Sequence, residues 1–382
     1  MAGHASSLCS QHPGTGGPGC RDCRASADSG HAPLHPCPTV GGRAYARPVS
    51  TSTTPSAPAG TAAAASAPSQ SNRLSTWLQF LGMGVVWGAS FLFMKVALEG
   101  VGFTQVAWSR LVLGGLTLGV IVLVMRPRVA SPTGERGPVL PRQPIVWLHF
   151  AVIAISGCVV PHMLFAWAEL HVSSSLASIY NAVTPITTAL MATLAFRVEK
   201  LVAAQWAGVL VGIAGVVVII GPWQYAALTG SLLGQLACLG AAVCYGFTFG
   251  YTRKFLSTRP IAPATFAFLN IGIAGAIMLV LTPVIAWQPV ELDLAIVGSL
   301  LALGVLGTGL AYIWNINVLR AWGPTNASTV TYVTPVVGVA LGVLLLGERF
   351  SWHEPIGAVL VLLGILLAQG RLRLPRRAPI AG

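Results

Sequence analysis

Residues 201–252 contain no Asp, Glu, Lys or Arg. Written as one helix at about 1.5 Å per residue, that run would be more than twice as long as the roughly 30 Å hydrocarbon core of a bilayer. The segment "GPWQYAALTG" (221–230) breaks it through Gly-Pro, which predicts two membrane spans joined by a short turn. The rest of the chain agrees. It is 54% hydrophobic and 8% charged, against about 25% charged in soluble domains. Interior volume grows too slowly with length for a soluble fold to hide so much apolar surface. The expectation is an all-α integral membrane protein, with the lipid bilayer as its solvent.

A span needs about 20 apolar residues. The apolar stretches predict ten transmembrane helices, near 75–97, 104–125, 145–168, 173–196, 202–221, 231–252, 263–286, 294–317, 324–346 and 352–370. Loop charge tests that number. With the N-terminus inside, 19 of the 22 Lys and Arg residues fall in segments on the inner side, and only Lys95, Arg110 and Arg349 do not. The outer side carries Glu99, Glu169, Glu291, Asp293, Glu348 and Glu354. This is the positive-inside asymmetry, and one miscounted helix would erase it. Both termini are therefore expected in the cytoplasm of a multi-pass protein of the cytoplasmic membrane. The net charge of +12 has the same cause, so it implies no nucleic acid partner.

Residues 1–73 are rich in Pro, Gly, Ala, Ser and Thr and read as a disordered low-complexity tail. They hold Cys9, Cys20, Cys23 and Cys37 beside His4, His12, His31 and His35. That grouping mimics a zinc site, but its neighbours offer no core to fix four ligands. No metal and no cofactor is expected. Residues 74–222 and 223–371 form two five-helix units, and 372–382 a cytoplasmic C-terminal tail.

The two units rest on a repeat. Residues 331–350 read "TYVTPVVGVALGVLLLGERF", and residues 181–201 read "NAVTPITTALMATLAFRVEKL". Thr184-Pro185 matches Thr334-Pro335, and after a one-residue slip Glu199-Lys200 matches Glu348-Arg349. Further back, Trp87-Gly88 matches Tyr245-Gly246, and Lys95 matches Arg253. Five helices is an odd number, so the second copy enters the membrane from the opposite face: the repeats are inverted, as in secondary transporters. "WGASF" (87–91), Arg110 and the two Thr-Pro stretches resemble the EamA-type members of the drug/metabolite transporter superfamily. The first copy departs from the pattern with "RVEK" in place of "GER". The resemblance implies ten helices and export or exchange of small metabolites or drugs.

A proline removes the hydrogen bond to the carbonyl four residues earlier. Pro185 and Pro335 are thus expected to kink the fourth and ninth spans near mid-membrane and to free the carbonyls of Asn181 and Thr331. An unpaired carbonyl in hydrocarbon costs several kcal/mol, so it must face protein, water or substrate. This predicts a central polar cavity near Tyr180, Asn181, Thr331 and Tyr332. Trp87, Tyr245, Asn270 and Asn315 are further candidate substrate contacts, although Asn also serves as glue between helices. Lys95, Arg110 and Glu169 suggest a salt-bridged outer gate, with snorkelling to the interface as the alternative. His162 is the titratable group near mid-depth and either carries a proton or packs. Gly84/Gly88, Gly208/Gly212 and Gly338/Gly342 are small-residue pairs suited to close helix contacts.

The functional expectation is a secondary transporter that exports a small metabolite by alternating access. An amino acid or similar neutral or zwitterionic compound fits best, with a drug also allowed. An intramembrane enzyme would need a nucleophile–base pair, a metal triad or clustered acids, none of which occurs; the protein is not read as an enzyme. A passive channel would show a repeated filter or selectivity ring. A homodimer stays open as an assembly.

Overall fold

The computed structural model describes residues 70–125, 129–130, 136–137, 140–223, 228–259, 261–285 and 288–371. Of the expected tail 1–73, residues 1–69, with its cysteines and histidines, lie outside the described residues, as does 372–382, whereas 70–73 begin the first helix. The described body is helical, apart from a ladder of two two-residue strands, β1 (Val129–Ala130) and β2 (Arg136–Gly137), between residues 125 and 144. Its helices are α1 (Gln70–Ala97), α2 (Phe103–Met125), α3 (Pro144–Ala168), α4 (Ser174–Asn181), α5 (Thr184–Leu190), α6 (Ala203–Ile220), α7 (Leu228–Phe255), α8 (Pro263–Ile285), α9 (294–327), α10 (Val330–Leu346) and α11 (His353–Ala368).

Seven of these, α1, α2, α3, α6, α7, α8 and α9, are long and apolar enough to cross a membrane. α10 and α11 are apolar but shorter, with 17 and 16 residues. The expected fourth span is not one kinked helix. It breaks at Ala182-Val183 into α4 and α5 and ends in a π-turn, Met191–Ala195. The cause is Pro185: it stands at the start of α5, where its missing N–H costs nothing and its fixed φ suits a helix N-terminus. Pro335, its counterpart, sits inside a continuous α10. The ninth span also starts later than expected, because α9 continues through Gly323-Pro324 to Ala327.

Packing pairs the two halves reciprocally. α1 lies against α10, and α7, its counterpart, lies against α5. α3 packs on α7 as α9 packs on α1, while α2 with α8 and α6 with α11 are pairs of counterparts. The matched glycines mark the same contact in each half. A Cβ on Gly88 would fall 2.7 Å from the carbonyl oxygen of Thr334, and one on Gly246 would fall 2.8 Å from that of Thr187. Both therefore admit the backbone of the helix that carries a Thr-Pro pair. Gly338 of α10 backs onto Ser178 of α4, and a Cβ there would meet Ser178 Oγ at 2.6 Å. Apolar side chains turned away from this interior stay uncovered, such as Val280 at 78% and Leu344 at 77% exposure. A soluble monomer rarely leaves such a surface contiguous; in a bilayer it is the lipid face.

The tightest seam is α6 against α11. A Cβ on Gly208 would lie 2.7 Å from the Gly364 carbonyl oxygen, and one on Gly364 would lie 2.7 Å from the Gly208 carbonyl oxygen. Neither obstacle is a flexible side chain. Gly364→Val should therefore cost about 1–3 kcal/mol through overpacking, read as a lower Tm of the purified protein. Gly298→Ala, with nothing within 4 Å of the added carbon, should leave Tm no lower, since Ala favours a helix interior over Gly. Equal Tm values for the two variants would refute this seam.

Candidate functional site

A cavity of about 200 Å³ lies between the halves, with Trp87, Arg110, His162, Asn181, Tyr245 and Thr331 in its wall. Thr184, Thr334, Ser90, Tyr312 and the aromatic rings of Phe91, Phe165 and Phe249 complete most of the lining. It draws residues from α1, α2, α3, α4, α5, α7, α9 and α10, so one chain suffices to build it. No Asp or Glu is among its lining residues.

Local irregularities shape the wall. α3 contains a π-turn at Ile155–Val159, and α9 a longer π-helical stretch at Ala302–Leu310. These helices occupy corresponding places in the two halves. Within this stretch of α9, the Gly307 carbonyl accepts the Trp87 indole N–H at 3.0 Å. Thr308 Oγ1 donates to the Leu303 carbonyl at 3.0 Å while accepting the Arg110 Nε–H at 3.1 Å. Arg110 is thus steered by one bond, and its Nη1 and Nη2 groups have no acidic partner within ion-pair distance among the described residues. On α3, His162 Nδ1 stands 2.5 Å from the Cys158 carbonyl, a contact in which only the ring can donate. That leaves Nε2 of the neutral ring as an acceptor. Pro185 and Pro335 offer no N–H to the carbonyls of Asn181 and Thr331, and both of those residues line the cavity.

The other sequence candidates lie elsewhere. Tyr180 is fully buried, and its hydroxyl donates to Gln235 Oε1 at 2.7 Å, tying α4 to α7. Tyr332 donates to Gln369 Oε1 at 2.5 Å, beyond the end of α11. Asn270 of α8 has a buried Oδ1 without a hydrogen-bond partner, and Asn315 is half-buried; neither lines the cavity. Lys95 directs its ammonium at the backbone carbonyls of Glu169 and Val172, and neither carboxylate oxygen of Glu169 has a hydrogen-bond partner. The Lys95–Glu169 side-chain salt bridge is absent in this conformation. Arg110, grouped with them from sequence, instead lines the cavity. Tyr312 and Thr308 carried no special weight in the sequence. Their orientation depends on the π-helical stretch of α9, which shifts the helical phase, and 3.6-residue spacing cannot anticipate that.

The acids that close the two repeated stretches do different work. Glu348 accepts the backbone N–H of Ser174 at 2.7 Å and of Ser175 at 3.0 Å, together with both serine hydroxyls. It caps α4 from the other half of the chain, where the helix dipole also favours a negative charge. Glu199 pairs with Arg253 at the opposite end of the bundle, where α7 stops. The counterparts Lys95 and Arg253 thus take different partners, carbonyls in one case and a carboxylate in the other.

These features define a multi-pass membrane protein with a cavity between two similar halves. The EamA-like transporter family matches the chain twice, over residues 74–221 and 232–369, and the chain belongs to that family. It is 27% identical over 290 residues to a probable terminal-alkyne amino-acid exporter of Streptantibioticus cattleyicolor, covering 75% of this chain and 91% of that one. It is 26% identical over 310 residues to a probable amino-acid metabolite efflux pump of Salmonella typhimurium, covering 78% and 96%. An uncharacterized inner membrane transporter of Escherichia coli, YedA, is 24% identical over 306 residues, covering 78% and 92%. A solved crystal structure with 20% identity shares the fold at a TM-score of 0.51, covering 77% of this chain and 96% of its own. The protein is a membrane transporter and not an enzyme.

Burial raises the Glu348 carboxyl, but hydrogen bonds from Ser175 and Ser174 outweigh it and hold the group below its usual value. A depressed folded-state value stabilises the fold above the unfolded carboxylate range, about 4.3, and that contribution is lost as pH falls through the folded value. Glu348→Gln should therefore cost about 0.5–2 kcal/mol at neutral pH, as for a lost helix cap, read as a lower Tm. The gap to wild type should narrow on acidification. A gap independent of pH would show that the carboxylate charge plays no part.

Proposed function

We propose that this transporter exports small amino-acid-like metabolites, and that Arg110 receives their carboxylate in the cavity. The observation that carries the reading is a guanidinium with free Nη donors facing a cavity that has no acid in its lining. A carboxylate fits the planar fork of Arg in a bidentate way. The substrate's amino group then finds neutral acceptors in the freed carbonyls of Asn181 and Thr331, and aromatic faces in Trp87 and Tyr245. The size agrees: about 200 Å³ holds a small amino acid, whereas drug-sized ligands occupy about 300–1,000 Å³. Two relatives whose names refer to amino-acid export support the same class.

In this reading the ten apolar stretches are ten crossings, arranged as inverted halves over 74–222 and 223–371, with both termini in the cytoplasm of a cytoplasmic-membrane protein. The reciprocal packing supports the inversion, and the 19 of 22 basic residues on one side support the orientation. Alternating access results when α1–α10 and α7–α5 open in turn around Arg110, Asn181, Tyr245 and Thr331. Tyr180, Tyr332, Asn270 and Asn315 support the wall from behind.

Propargylglycine, a terminal-alkyne amino acid, is a suitable probe in everted vesicles because azide coupling reports it directly. Saturable uptake that speeds up with unlabelled counter-substrate is expected, which a channel would not give. Arg110→Gln should weaken apparent affinity at least about tenfold, corresponding to a lost charge-assisted bond of about 1.5–3 kcal/mol. The carboxamide analogue should bind both proteins equally poorly. Full affinity in Arg110→Gln would overturn the carboxylate assignment.

A further inference from the structure

One buried acid has no part in the cavity wall. Glu169 comes directly after the last residue of α3 with its backbone still helical, at φ −68° and ψ −9°. It is 0% exposed, and neither carboxylate oxygen has a hydrogen-bond partner. An ionised carboxylate in that position would carry the full desolvation cost of a buried, unpaired charge. The neutral, protonated form avoids that cost. The charged and titratable side chains facing it are Lys95 from α1, Arg110 from α2, Cys238 from α7 and Glu348 from the turn after α10. Lys95 is turned to the Glu169 and Val172 carbonyls, Arg110 to Thr308, and Glu348 to Ser174 and Ser175. Lys95 is thus held by carbonyls, Glu348 is itself an acid, and Arg110 makes no ion pair with Glu169.

Place in the fold gives this acid a route to the cavity. His162, Phe165 and Glu169 are spaced i, i+3 and i+7, on one face of α3, and the first two line the cavity. Lys95 in turn is next in sequence to Met94, another lining residue, on α1. Glu169 and Lys95 therefore sit together just beyond the end of the substrate space.

We propose that Glu169 is a proton-binding site and that the transporter exchanges one proton there in each cycle, so that a proton gradient drives export. This rests on the transporter reading of the cavity and adds its energy source. The step involves one bond. A proton from the aqueous phase on one side forms the carboxylic O–H. That O–H breaks when the flexible Lys95 ammonium swings from the two carbonyls to the carboxylate, forming an ion pair and releasing the proton to the other side. No electrons move, and no further reactant is needed. The Lys95–Glu169 salt bridge then belongs to the deprotonated state, and the separated arrangement in the structure fits the protonated one.

Infrared spectra of the full chain reconstituted in lipid test the site without any substrate. Wild type should show the C=O band of a protonated carboxylic acid, shifting in heavy water, and Glu169→Gln should lose it. A band that survives the substitution, or is absent from wild type, overturns the proposal. Proteoliposomes test the coupling. A pH gradient should accelerate propargylglycine flux in wild type. Glu169→Gln, which keeps the neutral shape, should lose the whole of that acceleration yet retain counterflow exchange. Equal acceleration in both overturns the coupling. A wild type that moves no propargylglycine in either mode contradicts the substrate reading instead, and the infrared comparison then decides the proton site by itself.

Discussion

In a bilayer every backbone polar group must find a partner inside the protein or at water, since hydrocarbon offers none. That constraint bears on several irregularities in the described helices. Pro185 and Pro335 remove donors from the carbonyls of Asn181 and Thr331, and π-helical turns in α3 and α9 loosen two further ladders. These defects are gathered around one cavity. There the Gly307 carbonyl meets Trp87, the Leu303 carbonyl meets Thr308, and Asn181 and Thr331 are in the cavity wall. Irregular backbone thus borders the site beside the side chains of Trp87, Arg110 and Tyr245, in a chain with few charges.

The two halves share a plan and differ in its fastenings. Glycines at matching positions let α1 and α7 approach the helices that carry the Thr-Pro pairs. At one end of the bundle, however, Glu348 caps α4 through two backbone N–H groups and two serine hydroxyls, while at the other Glu199 forms an exposed ion pair with Arg253. Exposed ion pairs contribute about 0–1 kcal/mol, less than a multiply bonded cap. The end held by Glu348 should therefore be the firmer of the two in this conformation, and a carrier that alternates needs such unequal closures.

Much of this was legible in the sequence. Apolar length marks the helices, and the doubled Thr-Pro stretch marks the halves and points to Asn181 and Thr331. Helical phase limits the rest. The nine residues of π-helix in α9 rotate the remainder of that helix, so Tyr312 faces the cavity while Asn315 does not. Pro185 opens a new helix where its match Pro335 sits within one, because identical dipeptides meet different neighbours. Arg110 reads from sequence as a gate residue, and only Thr308 on another helix directs it into the cavity. Glu169 lies at a helix end, where an acid is ordinarily solvated. Its complete burial depends on α1 and the turn after α10, which no local pattern in the sequence reveals.

The central claim is that one cavity between the halves is reached from each side of the membrane in turn. Thr331→Cys in a background without other cysteines tests it most directly, with a membrane-impermeant thiol reagent applied to right-side-out and to everted vesicles. The account predicts labelling from both faces, slowed from both by propargylglycine. Labelling from one face only, whatever the ligand or gradient, would contradict it.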